Sequence, residues 1–210
     1  MARVLTTTSH ALLGLLAVQP WTTYELAKQT HRSLEWFWPR AERKLYDEPK
    51  HLVAAGLATA TEERTGNRRR TVYAITRAGR AALRRWLGQR PQPPALEFEA
   101  MVKVFFADGG SLEQLRVTLD VIEEQGAQRT TELRSMIDEV DEVDDGTYPF
   151  AERLPINALA LRYQLDHEQL QVQWARWAKE QVGEWRTVTD TAGWDWRAAL
   201  AGATRPVGSR

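Results

Sequence analysis

Two short runs of β-favouring residues, Leu57 to Glu63 and Thr71 to Ile75, flank the segment RTGNRRR, and no other stretch restricts the fold as narrowly. Thr65-Gly66-Asn67 is turn chemistry that tolerates positive φ, so the two runs are expected to meet as a hairpin. The tip and return arm of that hairpin hold Arg64, Arg68, Arg69 and Arg70. Four guanidinium groups so close together repel one another unless something anionic faces them.

The residues before the hairpin read PRAERKLYDEPKHLVAAGL. Arg40, Arg43, Lys44, Asp47 and Lys50 are spaced among apolar Ala41, Leu45, Leu52 and Val53, the pattern of a helix with one buried and one cationic face. Pro39 suits the first helical turn, where its missing amide costs nothing. Pro49 would fall inside the helix and is expected to bend it.

Upstream, Leu12, Leu13, Leu15, Leu16 and Val18 form the apolar face of a first helix capped by Thr8 or Ser9. Thr22 and Glu25 have capping-box spacing and open a second. A helix-turn-helix followed by a basic hairpin is a winged helix, so the expected class is mainly α with a small β-hairpin wing. In such a fold the second helix enters the major groove and the wing meets phosphates. Arg40, Arg43 and Lys44 are the expected base-facing residues, and Arg64, Arg68, Arg69 and Arg70 the phosphate-facing ones.

Those residues carry a resemblance. LYDEPKHLVAAGLA, the YAIT that closes the hairpin and the following RAGRAAL resemble the winged-helix domain of PadR-family transcriptional regulators, and WFWPR is similar to the lead-in to the recognition helix in one branch. The resemblance implies double-stranded DNA as partner, a phosphate contact for Tyr24 in the first turn of the second helix, and commonly a small, often aromatic effector. A Tyr24 packed on the wing is the alternative. The longer tail resembles the branch whose virulence-activator-type C-terminal region is helical and dimerising.

Charge divides the chain in the same place. Residues 1–90 hold 16 Lys+Arg against 7 Asp+Glu, and the formal net charge of the 210 residues is zero, so the remainder is as acidic as this part is basic. A basic DNA domain joined to an acidic one accounts for that asymmetry. The expected organisation is a DNA-binding domain over 1–88, a proline-containing linker over 89–95, a helical dimerisation and effector domain over 96–186, and a partly flexible tail over 187–210.

In the acidic part, Leu112, Leu119, Leu133 and Val140 fall in a seven-residue register broken at Gly126, and Leu115, Ile122, Met136 and Val143 in a second broken at Arg129. That narrow stripe implies helix pairing. A second long helix carries Ile156, Leu159, Ala160, Tyr163, Leu170, Trp174, Trp177, Val182 and Trp185. An antiparallel helical hairpin follows, and a symmetric homodimer built on Leu112, Leu115, Leu119, Ile122, Leu159 and Leu170 would space two DNA readers along one face of a pseudo-palindrome. Five of the nine tryptophans lie between Trp174 and Trp196. They are either interface packing or, with Tyr163, Trp174 and Trp177 as lining, a pocket for a flat effector.

Other classes find little support. The chain has no cysteine, which excludes disulfides and thiolate chemistry. His10, His31, His51 and His167 are dispersed, without metal-ligand spacing or a nucleophile elbow, so neither enzyme nor cofactor is expected. Within DEVDEVDDG, Val143 occupies a position where a calcium loop needs a ligand. No membrane-spanning run occurs, and the cytoplasm is the expected location. The rival is a winged helix used for protein contact, its basic hairpin meeting an acidic partner.

Overall fold

Thr6 opens the first helix, α1 (Thr7–Val18), in a reciprocal capping box: its hydroxyl accepts from the Ser9 amide and the Ser9 hydroxyl accepts from the Thr6 amide. The cap therefore lies two to three residues earlier than the sequence implied, because Ser9 serves as the third helical residue of the box. The computed structural model describes residues 4–38, 46–65, 68–142 and 150–203. Contacts divide it into two compact units, Met1–Pro94 and Ala95–Arg210.

In the first unit α1 is followed by β1 (Trp21–Thr22), α2 (Thr23–Ser33), α3 (Glu48–Ala54), β2 (Ala58–Thr65), β3 (Arg68–Ile75) and α4 (Arg77–Leu87). The sheet is antiparallel in the order β1-β3-β2. The two-residue strand β1 was not anticipated: Trp21 and Thr22 pair with Tyr73 and Val72, tying the start of α2 to the wing. Leu12, Leu13, Leu16, Leu26, Leu52, Ala58, Tyr73 and Ala82 form the core. His10 is buried too, stacked on Trp86 at 4.8 Å with its Nδ1 2.8 Å from the Thr6 carbonyl.

Two expectations are corrected here. Pro49 does not bend a long helix: Tyr46 and Asp47 form a turn and α3 begins at Glu48, which places Pro49 in the first turn where a proline loses no hydrogen bond. The strands are also longer than expected, so Arg64, Arg69 and Arg70 lie within the paired ladder instead of around a loop. At the end of the wing Thr76 caps α4 through the Gly79 amide. A Cβ on Gly79 would come 2.1 Å from the Leu57 carbonyl oxygen, so only glycine lets α4 approach there.

The second unit contains α5 (Glu99–Phe105), a 3₁₀ turn at Ala107–Gly109, α6 (Leu112–Glu142), a 3₁₀ turn at Ala151–Arg153, α7 (Leu154–Gly183) and α8 (Trp196–Ala203). Ser111 and Gln114 form a capping box at the start of α6. Cross-helix contacts pair Glu123 with Arg176 and Arg129 with Glu168, so α6 and α7 run antiparallel. Leu115, Leu119 and Ile122 pack with Ala175, Ala178 and Val182, and Phe98, Trp174 and Trp185 close over that cluster.

Thr187 and Asp190 organise a turn, Trp194 donates its indole N–H to Gln181 at 3.0 Å, and its ring lies 5.4 Å from that of Trp185. An aromatic pair with one satisfied polar handle holds the segment against α7.

Candidate nucleic-acid interface

Exposed polar side chains of the winged unit lie at the start of α2 and along the two long strands. Thr22 accepts from the Glu25 amide, and the Glu25 carboxylate accepts from the Thr22 amide at 2.8 Å. That exchange fixes the first turn of α2 and leaves Tyr24 within it 77% exposed. Tyr24 is thus turned to solvent and not packed on the wing. Lys28, one helical turn further along the same face, is also exposed. It was missed in the sequence, although its i+4 spacing from Tyr24 is the signal that could have found it.

On the wing, Glu63 stands opposite Arg70 and Arg64 opposite Arg69. Facing residues in a ladder share one side of the sheet and successive residues alternate, so Arg64 and Arg69 lie on one side and Arg70 on the other. Arg64 and Arg69 are exposed and form no ion pair with another described residue. Arg70 donates from Nη2 at 2.7 Å and from Nε at 3.1 Å to a single oxygen of Glu63. The Glu25 carboxyl is held below the ordinary glutamate range, first by the Thr22 amide, then by the Thr22 hydroxyl, with a further contribution from the positive charge of Arg70.

Arg40, Arg43 and Lys44 lie outside the described residues, as does the side chain of Arg68. The flanks of the first group are described, and both are anchored on α1. Trp38 donates its indole N–H to the Thr8 hydroxyl at 3.0 Å, and the buried carboxylate of Glu48 accepts from the Ser9 hydroxyl at 2.5 Å. Adjacent residues of one helix therefore pin both ends of the segment that holds the expected base readers. Lys50 sits 3.5 Å from Asp47.

In the helical unit the six expected dimerisation residues separate. Leu115, Leu119 and Ile122 are buried within their own chain and Leu112 packs beside them, whereas Leu159 and Leu170 are 71% and 62% exposed. The expected effector residues do not converge either. All three lie on α7, where Tyr163 and Trp177 are separated by roughly 21 Å of helix axis at 1.5 Å per residue. Tyr163 is exposed with its ring 6.2 Å from that of His167, Trp174 is half-buried against the core, and Trp177 is exposed. Among the described residues no acidic, histidine or cysteine cluster suits a metal ion, and no helix is long and apolar enough to cross a membrane.

A three-stranded wing packed on a helix-turn-helix and followed by a long helical hairpin defines a winged-helix protein with a helical C-terminal unit. Residues 12–85 match the transcriptional regulator PadR-like family, and residues 98–182 match the virulence activator alpha C-terminal family. The chain therefore carries a PadR-like transcriptional-regulator domain followed by a virulence-activator-type C-terminal domain. It is 33% identical over 85 residues to the probable transcriptional regulator Rv1176c of Mycobacterium tuberculosis, a match spanning 40% of this chain and 45% of that relative. The negative transcriptional regulator PadR of Bacillus subtilis is 24% identical over 169 residues, 79% of this chain and 91% of the relative. The fold is similar to that of the same Bacillus subtilis protein in complex with operator DNA, with a TM-score of 0.71 at 20% identity over 83% of this chain and 97% of that one. It is also similar to that protein in complex with p-coumaric acid, with a TM-score of 0.65 at 19% identity over 86% and 99%.

Proposed function

We propose that this protein is a cytoplasmic, homodimeric DNA-binding regulator that represses its target and is released by a small aromatic effector. The observation that carries the DNA reading is the Arg64–Arg69 pair: two guanidinium groups directly opposite one another on an exposed ladder, an arrangement that destabilises a sheet unless an anion lies across it. Tyr24 and Lys28 extend the polar face from α2, and Arg68 adds to the wing. Arg40, Arg43 and Lys44 would read base edges from the segment held between Trp38 and Glu48. The solved complex of the Bacillus subtilis relative with operator DNA supports this assignment of the partner.

Residues 1–88 would bind DNA and residues 96–186 would pair two chains, with Leu159 and Leu170 on the exposed face of α7 as the seam. The effector reading rests on the aromatic end of α7, where Trp174 and Trp185 pack against one apolar cluster and Trp177 is exposed, and on the p-coumaric acid complex of the relative. Such a ligand acts only by binding one dimer geometry more tightly than another.

The test is a gel shift with the DNA immediately upstream of the protein's own reading frame, against a scrambled duplex, at two salt concentrations. Preferential binding that weakens steeply with salt is the expected result. Equal or absent binding on both duplexes would move the function to a winged-helix module that contacts an acidic protein.

A further inference from the structure

The wing carries more cations than it presents. Arg64, Arg69 and Arg70 are neighbours in sequence pairing, yet strand alternation puts Arg70 on the side of Thr22 and Val72, away from the Arg64–Arg69 pair. On that side it meets two carboxylates. Glu63, directly across the ladder, accepts both of its donated hydrogen bonds, and Glu25 stands on the capping box formed with Thr22, whose strand partner Val72 is two residues from Arg70. A lone exposed ion pair is weak. Here the cross-strand register sets the two side chains directly opposite one another on one side of the ladder, and the field of Arg70 also holds the Glu25 carboxyl low.

We propose that Glu63 withholds Arg70 from the phosphate backbone and so sets the overall strength and salt dependence of duplex binding, leaving Arg64 and Arg69 as the duplex-facing pair on the described part of the wing. The inference rests on the DNA reading of the preceding subsection. Its consequence lies in the overall strength of duplex binding and its dependence on salt. Each phosphate that a cation neutralises strengthens binding to every sequence alike, because the gain is counterion release and carries no base information. Holding one guanidinium back lowers affinity for operator and random duplex alike and leaves base readout untouched. The pairing also removes one repulsive cation from a hairpin that already opposes two.

The readout is the slope of log affinity against log salt, measured on operator and scrambled duplex for the full chain. Arg69→Ala is expected to flatten the slope by about 0.9, the value of one phosphate contact on B-DNA. Arg70→Ala should leave the slope as in the wild type. Glu63→Gln should steepen it by about 0.9, and should raise affinity for scrambled duplex by up to about fivefold, the ceiling set by the worth of an exposed ion pair. The double variant Glu63→Gln/Arg70→Ala should return to the wild-type slope, which separates release of Arg70 from the simple loss of a negative charge. An Arg70→Ala variant as flat as Arg69→Ala overturns the proposal, as does a Glu63→Gln effect that persists without Arg70. If the wild type shows no salt-dependent duplex binding, the DNA reading itself fails. Circular dichroism of each variant confirms that the wing still folds.

Discussion

Arg129 and Glu168 meet in the middle of the helical hairpin, with Nε of the arginine 3.0 Å from Oε1 of the glutamate. Glu168 is 2% exposed and Arg129 keeps part of its guanidinium in solvent, so the carboxylate depends on the arginine far more than the reverse. Gln171 supplies a second donor at 3.2 Å. The asymmetry orders the variants. Arg129→Ala strands a buried charge and is expected to cost about 2–3 kcal/mol, below the full range for a buried pair because Arg129 is partly exposed. Glu168→Gln, which leaves behind only the partly solvated charge of Arg129, should cost less, and it should recover part of the loss in the Arg129→Ala background. Urea denaturation of the single and double variants measures all three. Equal losses for the two single variants would refute the asymmetry.

One turn away, Gly126 sets how closely α6 and α7 approach. A Cβ there would stand 2.9 Å from Val172 Cγ2 and 3.3 Å from the Glu168 carbonyl oxygen. Alanine would gain about 1 kcal/mol in helix propensity, but the β-branched Val172 and a backbone oxygen cannot both retreat. Gly126→Ala is therefore expected to destabilise by about 1–2 kcal/mol, on the scale of core overpacking. Gly14, within α1 and open on its Cβ side, should instead gain about 0.5–1 kcal/mol as alanine. Thermal unfolding of the two variants should move in opposite directions.

These two residues explain how much could be read in advance. The heptads of α6 were legible with their faults at Gly126 and Arg129, because apolar periodicity survives in sequence. The faults' meaning was not, since close approach and ion pairing depend on α7, more than 35 residues away. Leu115, Leu119 and Ile122 looked like a seam between chains for the same reason: periodicity reports that a face is covered, not by what. The wing was visible from its turn residues, whereas the sorting of its arginines depended on register and on strands extending to Thr65 and Arg68. Pro49 was misplaced because the composition around it stays helical on both sides of the turn at Tyr46 and Asp47.

Acid should loosen the helical hairpin through Glu123. Its carboxylate accepts from Arg176 Nε at 2.6 Å and Lys179 Nζ at 3.0 Å, and those bonds, that of Arg176 first, hold its pKa below the ordinary glutamate value. A carboxyl depressed in the folded state contributes stability that is fully present above its unfolded pKa of about 4.3 and is lost as pH falls through the lower folded value. The midpoint in urea should accordingly fall faster below that pH in the wild type than in Glu123→Gln. The two proteins should differ at pH 7 and converge at the acid end. A gap that stays constant across the range would show that the Glu123 interaction does not depend on its charge.

The Arg64–Arg69 opposition predicts a trade between stability and binding. Replacing Arg64 by threonine removes a like-charge cross-strand pair and places a β-favouring residue in the ladder, a change of up to about 1 kcal/mol in favour of the folded state. The same substitution should weaken duplex binding on every sequence and reduce the salt slope by about one contact. A variant that is both less stable and equally active would remove the reason for assigning an anion to that face.

The exposed apolar residues of α7 test the dimer. Ile156, Leu159, Tyr163, Leu170 and Trp177 stand 3, 4, 7 and 7 residues apart, the spacing of a coiled-coil seam, and all are exposed in the single chain. A twofold interface counts every such side chain twice. Burial of a leucine contributes about 1.5–3 kcal/mol, so Leu159→Asp or Leu170→Asp should weaken self-association by about 3 kcal/mol or more, at least a hundredfold. Helix content should persist, because neither side chain belongs to the core of its own chain. Sedimentation across a concentration series separates the outcomes. A shift toward monomer with unchanged circular dichroism places the seam on α7, whereas unchanged self-association in both variants would place the interface elsewhere and leave the stripe without a role in pairing.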